Sequence, residues 1–255
     1  MEACVIDFVG GRERMEDASF LVDKHQDNGT ILGGIFDGHR LVESAQNISF
    51  FATEIMQLLF KPLLDESLTP AQVFNVSYRI ISELSHSNLA GTTALCFYVH
   101  DNKMVVANTG DSRLVLFPRN SNIITITNDH NFHNDAEFRR VKNCGGTITE
   151  DYRFQKLGIE VAISRAIGDL HFADVGLIPN PEIFELDIQT TGDNFYIFAT
   201  DGFWNELSYQ TICKVINKSA TAQEACENLK KEILNNLEED ELDQVDNVTI
   251  LVIKT

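Results

Sequence analysis

The chain has 255 residues, 44% hydrophobic and 23% charged, a composition that excludes a disordered or collagen-like polymer. Its 20 Lys and Arg against 38 Asp and Glu leave a net charge of −18, which opposes binding to phosphate backbones and anionic membrane surfaces. Cys4, Cys96, Cys144, Cys213 and Cys226 show no Cys-x-x-Cys spacing, which argues against a disulfide framework or a zinc knuckle and for thiols in a reducing compartment.

The N-terminus, Met1-Glu2-Ala3-Cys4-Val5-Ile6-Asp7, lacks the basic start and apolar stretch of a signal peptide. Residues 18–22 and 31–36 read as strands. Leu41, Ala45, Ile48, Ala52, Ile55 and Leu59 recur at alternating four and three, one face of a helix. The apolar run 55–64 is broken by Gln57, Lys61 and Pro62 and is too short to span a bilayer. Thr69-Pro70-Ala71-Gln72 is a capping box with Pro in the first turn, and it opens a helix with Val73, Val76, Ile80 and Leu84 on one face.

Strands are expected at 92–100, 104–108, 113–117 and 123–127, the first two joined by the hairpin signal Asp101-Asn102. Asn134 to Glu137 starts a helix ended by Gly145-Gly146. Strands follow at 183–186 and 195–200, and Thr221-Ala222-Gln223-Glu224 opens a helix stacking Ala225, Leu229, Ile233 and Leu237. The run Glu238-Glu239-Asp240-Glu241, extended by Asp243 and Asp246, reads as a solvated loop before a last strand at 248–253.

Strands follow strands and helices come in pairs. This order predicts an α+β fold, two mainly antiparallel sheets with helix pairs on their outer faces, rather than a doubly wound parallel sheet. There is no linker or repeat, so one domain over 1–255 is expected. A monomer is expected, cytoplasmic or nuclear, with no nucleic-acid or membrane partner.

The aspartates carry the functional signal. Asp37-Gly38, Asp111 and Asp201-Gly202 follow expected strands, whereas Glu16-Asp17 and Asp246-Asn247 precede them. Each alone is explained as a turn; five such sites are harder to explain that way, although position in sequence does not bring them together in space. Carboxylates that converge raise one another's proton affinity and need cations among them. Oxygen donors without His or Cys select Mg²⁺ or Mn²⁺. Two such ions ~3.5–4 Å apart activate water and clamp a phosphoryl oxygen. Asp37 is the natural bridge, because Gly38 lets a carbonyl approach an ion. Arg12 can fork onto a phosphate, and His39, beside Asp37-Gly38, can protonate a leaving alkoxide.

The motifs, in order, are residues 12–17 (Arg12-Glu13-Arg14-Met15-Glu16-Asp17), Phe36-Asp37-Gly38-His39, Gly91-Thr92-Thr93-Ala94, Gly110-Asp111-Ser112-Arg113, Asn128-Asp129-His130 and Gly145-Gly146. They continue with Ser164-Arg165-Ala166-Ile167-Gly168-Asp169, Asn180-Pro181-Glu182, Asp201-Gly202-Phe203-Trp204 and Asp246-Asn247-Val248-Thr249. Together they resemble the metal-dependent serine/threonine protein phosphatases of type 2C, over essentially the whole chain. The resemblance implies a four-layer α-β-β-α sandwich with a binuclear Mg²⁺ or Mn²⁺ centre at one edge, and phosphoproteins as substrates. It implies that Asp37 bridges the ions, Gly38 offers its carbonyl to one, and Asp201 and Asp246 bind the other. Glu16 and Asp17 would hold metal-bound waters, Asp111 a weaker third ion, Arg12 the substrate phosphate, and His39 would be the general acid. It also implies metal-activated water as nucleophile and no phospho-enzyme.

The chain departs from the family pattern at four places, one of them a short loop between Asp169 and Pro181 beside the expected site. Arg40 stands where the family has Gly after Asp-Gly-His, Asn205 where it has Asp, and Phe132 where it usually has Pro. Two rivals remain at this level: a catalytically weakened member of the same fold acting as a binding module, and another two-metal phosphoesterase.

Overall fold

Central strands buried on both faces read as continuous apolar runs, and here neighbouring residues serve opposite cores. The computed structural model describes residues 1–40, 47–87, 89–119, 122–188, 193–236 and 244–255. One sheet has the order β1 (Glu2–Phe8), β16 (Val248–Lys254), β15 (Asn194–Ala199), β8 (Arg113–Pro118), β9 (Ile124–Thr125). The other has the order β14 (Glu182–Asp187), β7 (Lys103–Thr109), β6 (Ala94–His100), β3 (Thr30–Phe36), β2 (Ala18–Lys24). All pairings in both are antiparallel.

Along β15, Tyr196 and Phe198 face the other sheet, while Phe195, Ile197 and Ala199 face the helices. The period of two puts alternate side chains on opposite faces. Between the sheets Phe97 and Phe198 pack with ring centroids 4.6 Å apart, a contact worth about 0.5–1.5 kcal/mol beyond the area it buries. Helices α2 (Ile48–Asp65) and α3 (Pro70–Ser85) cover the sheet containing β3. Helices α6 (Tyr209–Ile216) and α7 (Ala222–Asn236) cover the other. The expected α-β-β-α sandwich is therefore observed.

Local chemistry explains several element ends. Thr69 accepts from the Gln72 amide while the Gln72 side chain accepts from the Thr69 amide, the expected reciprocal cap. Asp101 and Asn102 both have positive φ, as a two-residue hairpin turn requires. Asn134 caps α4 (Asp135–Asn143), and Thr221 Oγ1 accepts from the Glu224 amide at the start of α7.

Several expectations need correction. The 41–59 stripe does not form one helix: Asn47 is extended and caps α2, which starts at Ile48, while Leu41 and Ala45 lie outside the described residues. The buried face of α2 includes Ser49, Thr53, Met56 and Phe60, not only Ile48 and Ala52. In α3 the aromatics Phe74 and Tyr78 take the core with Val73, and Leu84 is exposed. The large rings set the helix rotation, because they bury the most area. The 92–100 run breaks at Thr93 into β5 (Gly91–Thr92) and β6, and the 123–127 run shrinks to β9 at an exposed edge. Leu237 and residues 238–243 of the acidic run lie outside the described residues. Strand β1 and the helices α5 (Asp201–Trp204) and α6 were not anticipated.

Also not anticipated is a small lobe in which the expected α4 packs with β10 (Thr147–Ile148), β11 (Phe154–Lys156), β12 (Ile159–Val161) and a 3₁₀ turn at Leu170–Val175. Phe132, at the departure from Pro, fills its core against Phe154 at 5.8 Å. The remaining short strands are β4 (Gly38–His39) and β13 (Ile167–Gly168), which flank β5. The four-residue α1 (His25–Asn28) completes the order.

Candidate active site

The strand ends that carry the aspartates lie at one edge of the sandwich. A cavity of about 390 Å³ there is lined by Arg12, Glu16, Asp37, Gly38, His39, Asp111, Asp201 and Asp246, together with Arg40 and Thr93. Every expected site residue except Asp17 reaches its wall. Asp17 is buried instead, accepting from Thr200 Oγ1 at 3.0 Å and Thr249 Oγ1 at 2.8 Å.

The backbone reason for each placement is local. Thr93 leaves the ladder to serve Asp37: its amide donates to the Asp37 carbonyl at 2.9 Å, and its hydroxyl accepts from the Asp37 amide at 3.0 Å. That exchange is why the 92–100 run breaks. Gly38 passes so close to the Glu16 carbonyl that a Cβ would overlap it. Ser49 Oγ, in the first turn of α2, donates to the same Glu16 carbonyl.

Asn247 fastens the 9–16 loop. Its Oδ1 accepts from the Glu16 amide at 2.6 Å, and its Nδ2 donates to the carbonyls of Val9 at 2.8 Å and Arg14 at 3.0 Å. Asn247→Ala removes all three partly buried bonds that fasten the loop. The expected loss is about 2–3 kcal/mol of stability, from typical net hydrogen-bond values. A fall in the denaturant midpoint measures it.

The electrostatics are those of packed anions with little counter-charge, the guanidinium of Arg12 standing at the rim. Burial pushes the Asp37 carboxyl well above its ordinary range, with Asp17, Asp201, Asp111 and Asp246 adding repulsion. Burial also raises Asp111 to about 7, helped by Asp201 and Asp129. Asp17 is raised to about 7 by burial, against the pull of its two threonine hydrogen bonds. Asp201 is raised by burial and by Asp246, while a hydrogen bond from Asp37 opposes the rise. Arg12 Nη2 donates to Asp246 Oδ2 at 2.7 Å at the rim. Among the described residues no group of three or more His, Cys, Asp or Glu side chains stands ready to hold a metal ion; Asp246 is turned to Arg12. The donor set itself, all carboxylate and carbonyl oxygen, suits Mg²⁺ or Mn²⁺.

His39 is held from behind. Its Nε2 lies 2.5 Å from Oδ2 of Asp169, which is fully buried. The contact depends on Gly91, because a Cβ there would collide with the Asp169 carboxylate and lie 2.9 Å from His39 Nε2. Asp169 was legible only as the end of the 164–169 motif, with no role attached. Thr93, Ser49 and the clasp by Asn247 were missed as well. Each acts through the backbone, which a sequence pattern does not display. Asn205 is exposed and closes α5, its amide donating to the Asp201 carbonyl at 2.9 Å. Other motif residues are structural. Arg113 grips Asp129 through two bonds of 3.0 and 2.6 Å. Glu137 receives Ser164 at 2.6 Å and both Arg165 and Arg140 at 2.7 Å.

The family model described as protein phosphatase 2C matches residues 4–242. The chain belongs to the protein phosphatase 2C family. The match ends before Asp246, which the pairing of β16 with β1 and β15 sets at the site. The chain is 30% identical over 239 residues to protein phosphatase 2C homolog 1 of Saccharomyces cerevisiae, covering 86% of this chain and 80% of that one. It is 29% identical over 219 residues to bovine protein phosphatase 1L, covering 81% of this chain and 61% of that protein. It therefore spans less than two thirds of the bovine relative's length.

Among solved structures, the serine-threonine phosphatase 2C from Toxoplasma gondii aligns with a TM-score of 0.77 at 18% identity, covering 99% of this chain and 94% of that one. A C. elegans sex determining protein aligns with a TM-score of 0.75 at 18% identity, covering 98% and 64%. At this level of identity, both likenesses show a shared fold and nothing more. Among the described residues no helix is long and apolar enough to cross a membrane.

Proposed function

We propose that this member of the protein phosphatase 2C family hydrolyses phosphoserine and phosphothreonine in proteins at a centre of two Mg²⁺ or Mn²⁺ ions. The observation that carries the reading is the convergence of Asp37, Asp111, Asp201 and Asp246 on one cavity, with burial and mutual repulsion raising the first three. Asp37, the Gly38 carbonyl, Asp201 and Asp246 would hold the two ions. Glu16 at the wall and Asp17 behind it would orient the surrounding waters, and Asp111 would hold a weaker third ion. When bound, the ions supply an activated water and neutralise charge on the phosphoryl oxygens.

The chain's own residues do the rest. Arg12 exchanges its bond to Asp246 for a forked contact with the substrate phosphate, since the guanidinium geometry suits both anions. His39 carries the proton for the departing serine or threonine oxygen. With Nε2 engaged by Asp169, Nδ1 is the ring atom left to transfer it. The acidic aspartates exclude an anion from binding until cations neutralise them.

Phosphate release from a phosphoserine peptide with Mn²⁺, with and without chelator and against a phosphodiester, tests the reading. Turnover that survives thorough chelation defeats it, and preference for the diester moves the chain to another phosphoesterase class. Arg12→Ala is expected to raise KM with little loss of kcat. His39→Ala is expected to lower kcat on the phosphoserine peptide by about 10²–10⁴-fold, the usual worth of general-acid help. It should lower kcat on an aryl phosphate far less. Equal losses on both substrates would make His39 structural.

A further inference from the structure

Arg40 is not accounted for by the reading above. It occupies the left-handed region at φ 59°, a conformation natural to Gly and strained for Arg. Such strain persists only where surrounding contacts hold it. Here they do. Arg40 Nη1 donates to the Leu89 carbonyl at 3.1 Å, and Nη2 donates to the Glu160 carbonyl. Nη1 also lies 3.6 Å from Asp169 Oδ1, and the guanidinium carbon sits 5.9 Å from the Phe172 ring centroid.

These partners belong to different parts of the molecule. Glu160 is in β12, which among the described residues pairs only with β11 and is the edge of the small lobe's sheet. An edge strand leaves carbonyls unpaired, and Arg40 takes one of them. Asp169 contacts His39 through its other oxygen. One side chain therefore joins the lobe wall of the cavity, formed by Glu160, Val161, Ala162 and Ile163, to the group behind His39. The planar, rigid fork of Arg donates to two carbonyls while its charge faces the Asp169 carboxylate at ion-pair distance, a combination that the single ammonium of Lys does not reproduce.

We propose that Arg40 is a positioning residue that ties the free edge of β12 to the Asp169–His39 pair, holding the lobe wall over the cavity and His39 in place beneath it. Its side chain is spent on these internal acceptors rather than on substrate. The catalytic half of the proposal rests on the phosphatase reading; the tie between lobe and core does not.

The test compares wild type with Arg40→Gly and Arg40→Lys. Glycine relaxes the strained backbone, so this variant is expected to fold. Amide exchange at residues 159–163 should rise about tenfold or more in Arg40→Gly, by local opening, and less in Arg40→Lys. The kcat on a phosphoserine peptide should fall about tenfold with little change on an aryl phosphate, because only the poor leaving group needs a positioned proton donor. Unchanged exchange in Arg40→Gly overturns the proposal whatever the activity. A sharp rise in KM with kcat intact also overturns it and makes Arg40 a substrate contact. A wild-type chain inactive with Mn²⁺ defeats the phosphatase reading alone, and the exchange result still decides the tie.

Discussion

Asp37→Asn is expected to remove nearly all phosphate release, on the order of 10³-fold or more, while leaving the chain folded. A carboxylate shared by two ions would contribute charge to both, and loss of that stabilisation would cost several kcal/mol at about 1.4 kcal/mol per decade of rate. The fold should survive for a specific reason. Asp37 is half-buried among other carboxylates that disfavour its charge, so in the metal-free state a neutral amide replaces a carboxyl that already favours its neutral form. The backbone bonds between Asp37 and Thr93 involve no Asp37 side-chain atom and are kept. Circular dichroism and a thermal melt check folding; release from a phosphoserine peptide with Mn²⁺ checks activity. A variant with more than a tenth of wild-type turnover would refute the bridging role.

The second large effect is on stability. Asp17 and Asp111 have folded-state values raised to about 7 from an ordinary 3.8, and Asp37 is raised well above its ordinary range. Between those values the folded chain holds protons that the unfolded chain has released. Stability therefore falls as pH rises from about 3.8 through about 7, the reverse of a paired carboxylate. The charges of Asp201 and Asp246 add to the rise at Asp37, and the charge of Arg12 opposes the rise at Asp201. Metal-free protein is thus expected to melt at lower temperature at pH 8 than at pH 5.5. A cation that binds only the folded state adds stability by mass action, about 2.7 kcal/mol at a hundredfold excess over Kd. Mn²⁺ should therefore raise Tm strongly at pH 8 and little at pH 5.5, where protons compete for the carboxylates. A Tm independent of Mn²⁺ at pH 8 would refute a cation site at these residues, whatever the assay for activity shows.

The sequence made the candidate site legible to an unusual depth because the relevant groups sit at strand ends. Asp37, Asp111, Asp201 and Asp246 each border an apolar run, and such borders are visible in one dimension. Arg12, Glu16, Gly38 and His39 were found by adjacency to those runs or by motif. The fold class was legible for a related reason: the capping box at Thr69, the turn at Asp101-Asn102 and the long apolar runs are local signals with local causes. Helix rotation was less legible. Both α2 and α3 turn by roughly a residue from the expected stripe, because burial of Phe60, Phe74 and Tyr78 outweighs the spacing of the smaller apolar residues. The small lobe escaped detection because its strands are two or three residues long, too short for a periodic pattern.

What the sequence determined by itself was the inventory and the order: which groups carry charge, which runs form strands, and which family motifs follow one another. Tertiary structure alone decided convergence. Strand β16 enters between β1 and β15, which brings Asp246 from the end of the chain to Arg12 at its beginning. The break at Thr93 aims Asp37 through backbone hydrogen bonds that leave no mark on composition. The buried Asp169 meets His39 across 130 positions, and Arg40 reaches β12 across 120. Proton affinity was likewise decided in three dimensions, since burial and the distance between like charges exist only once the chain has closed on itself.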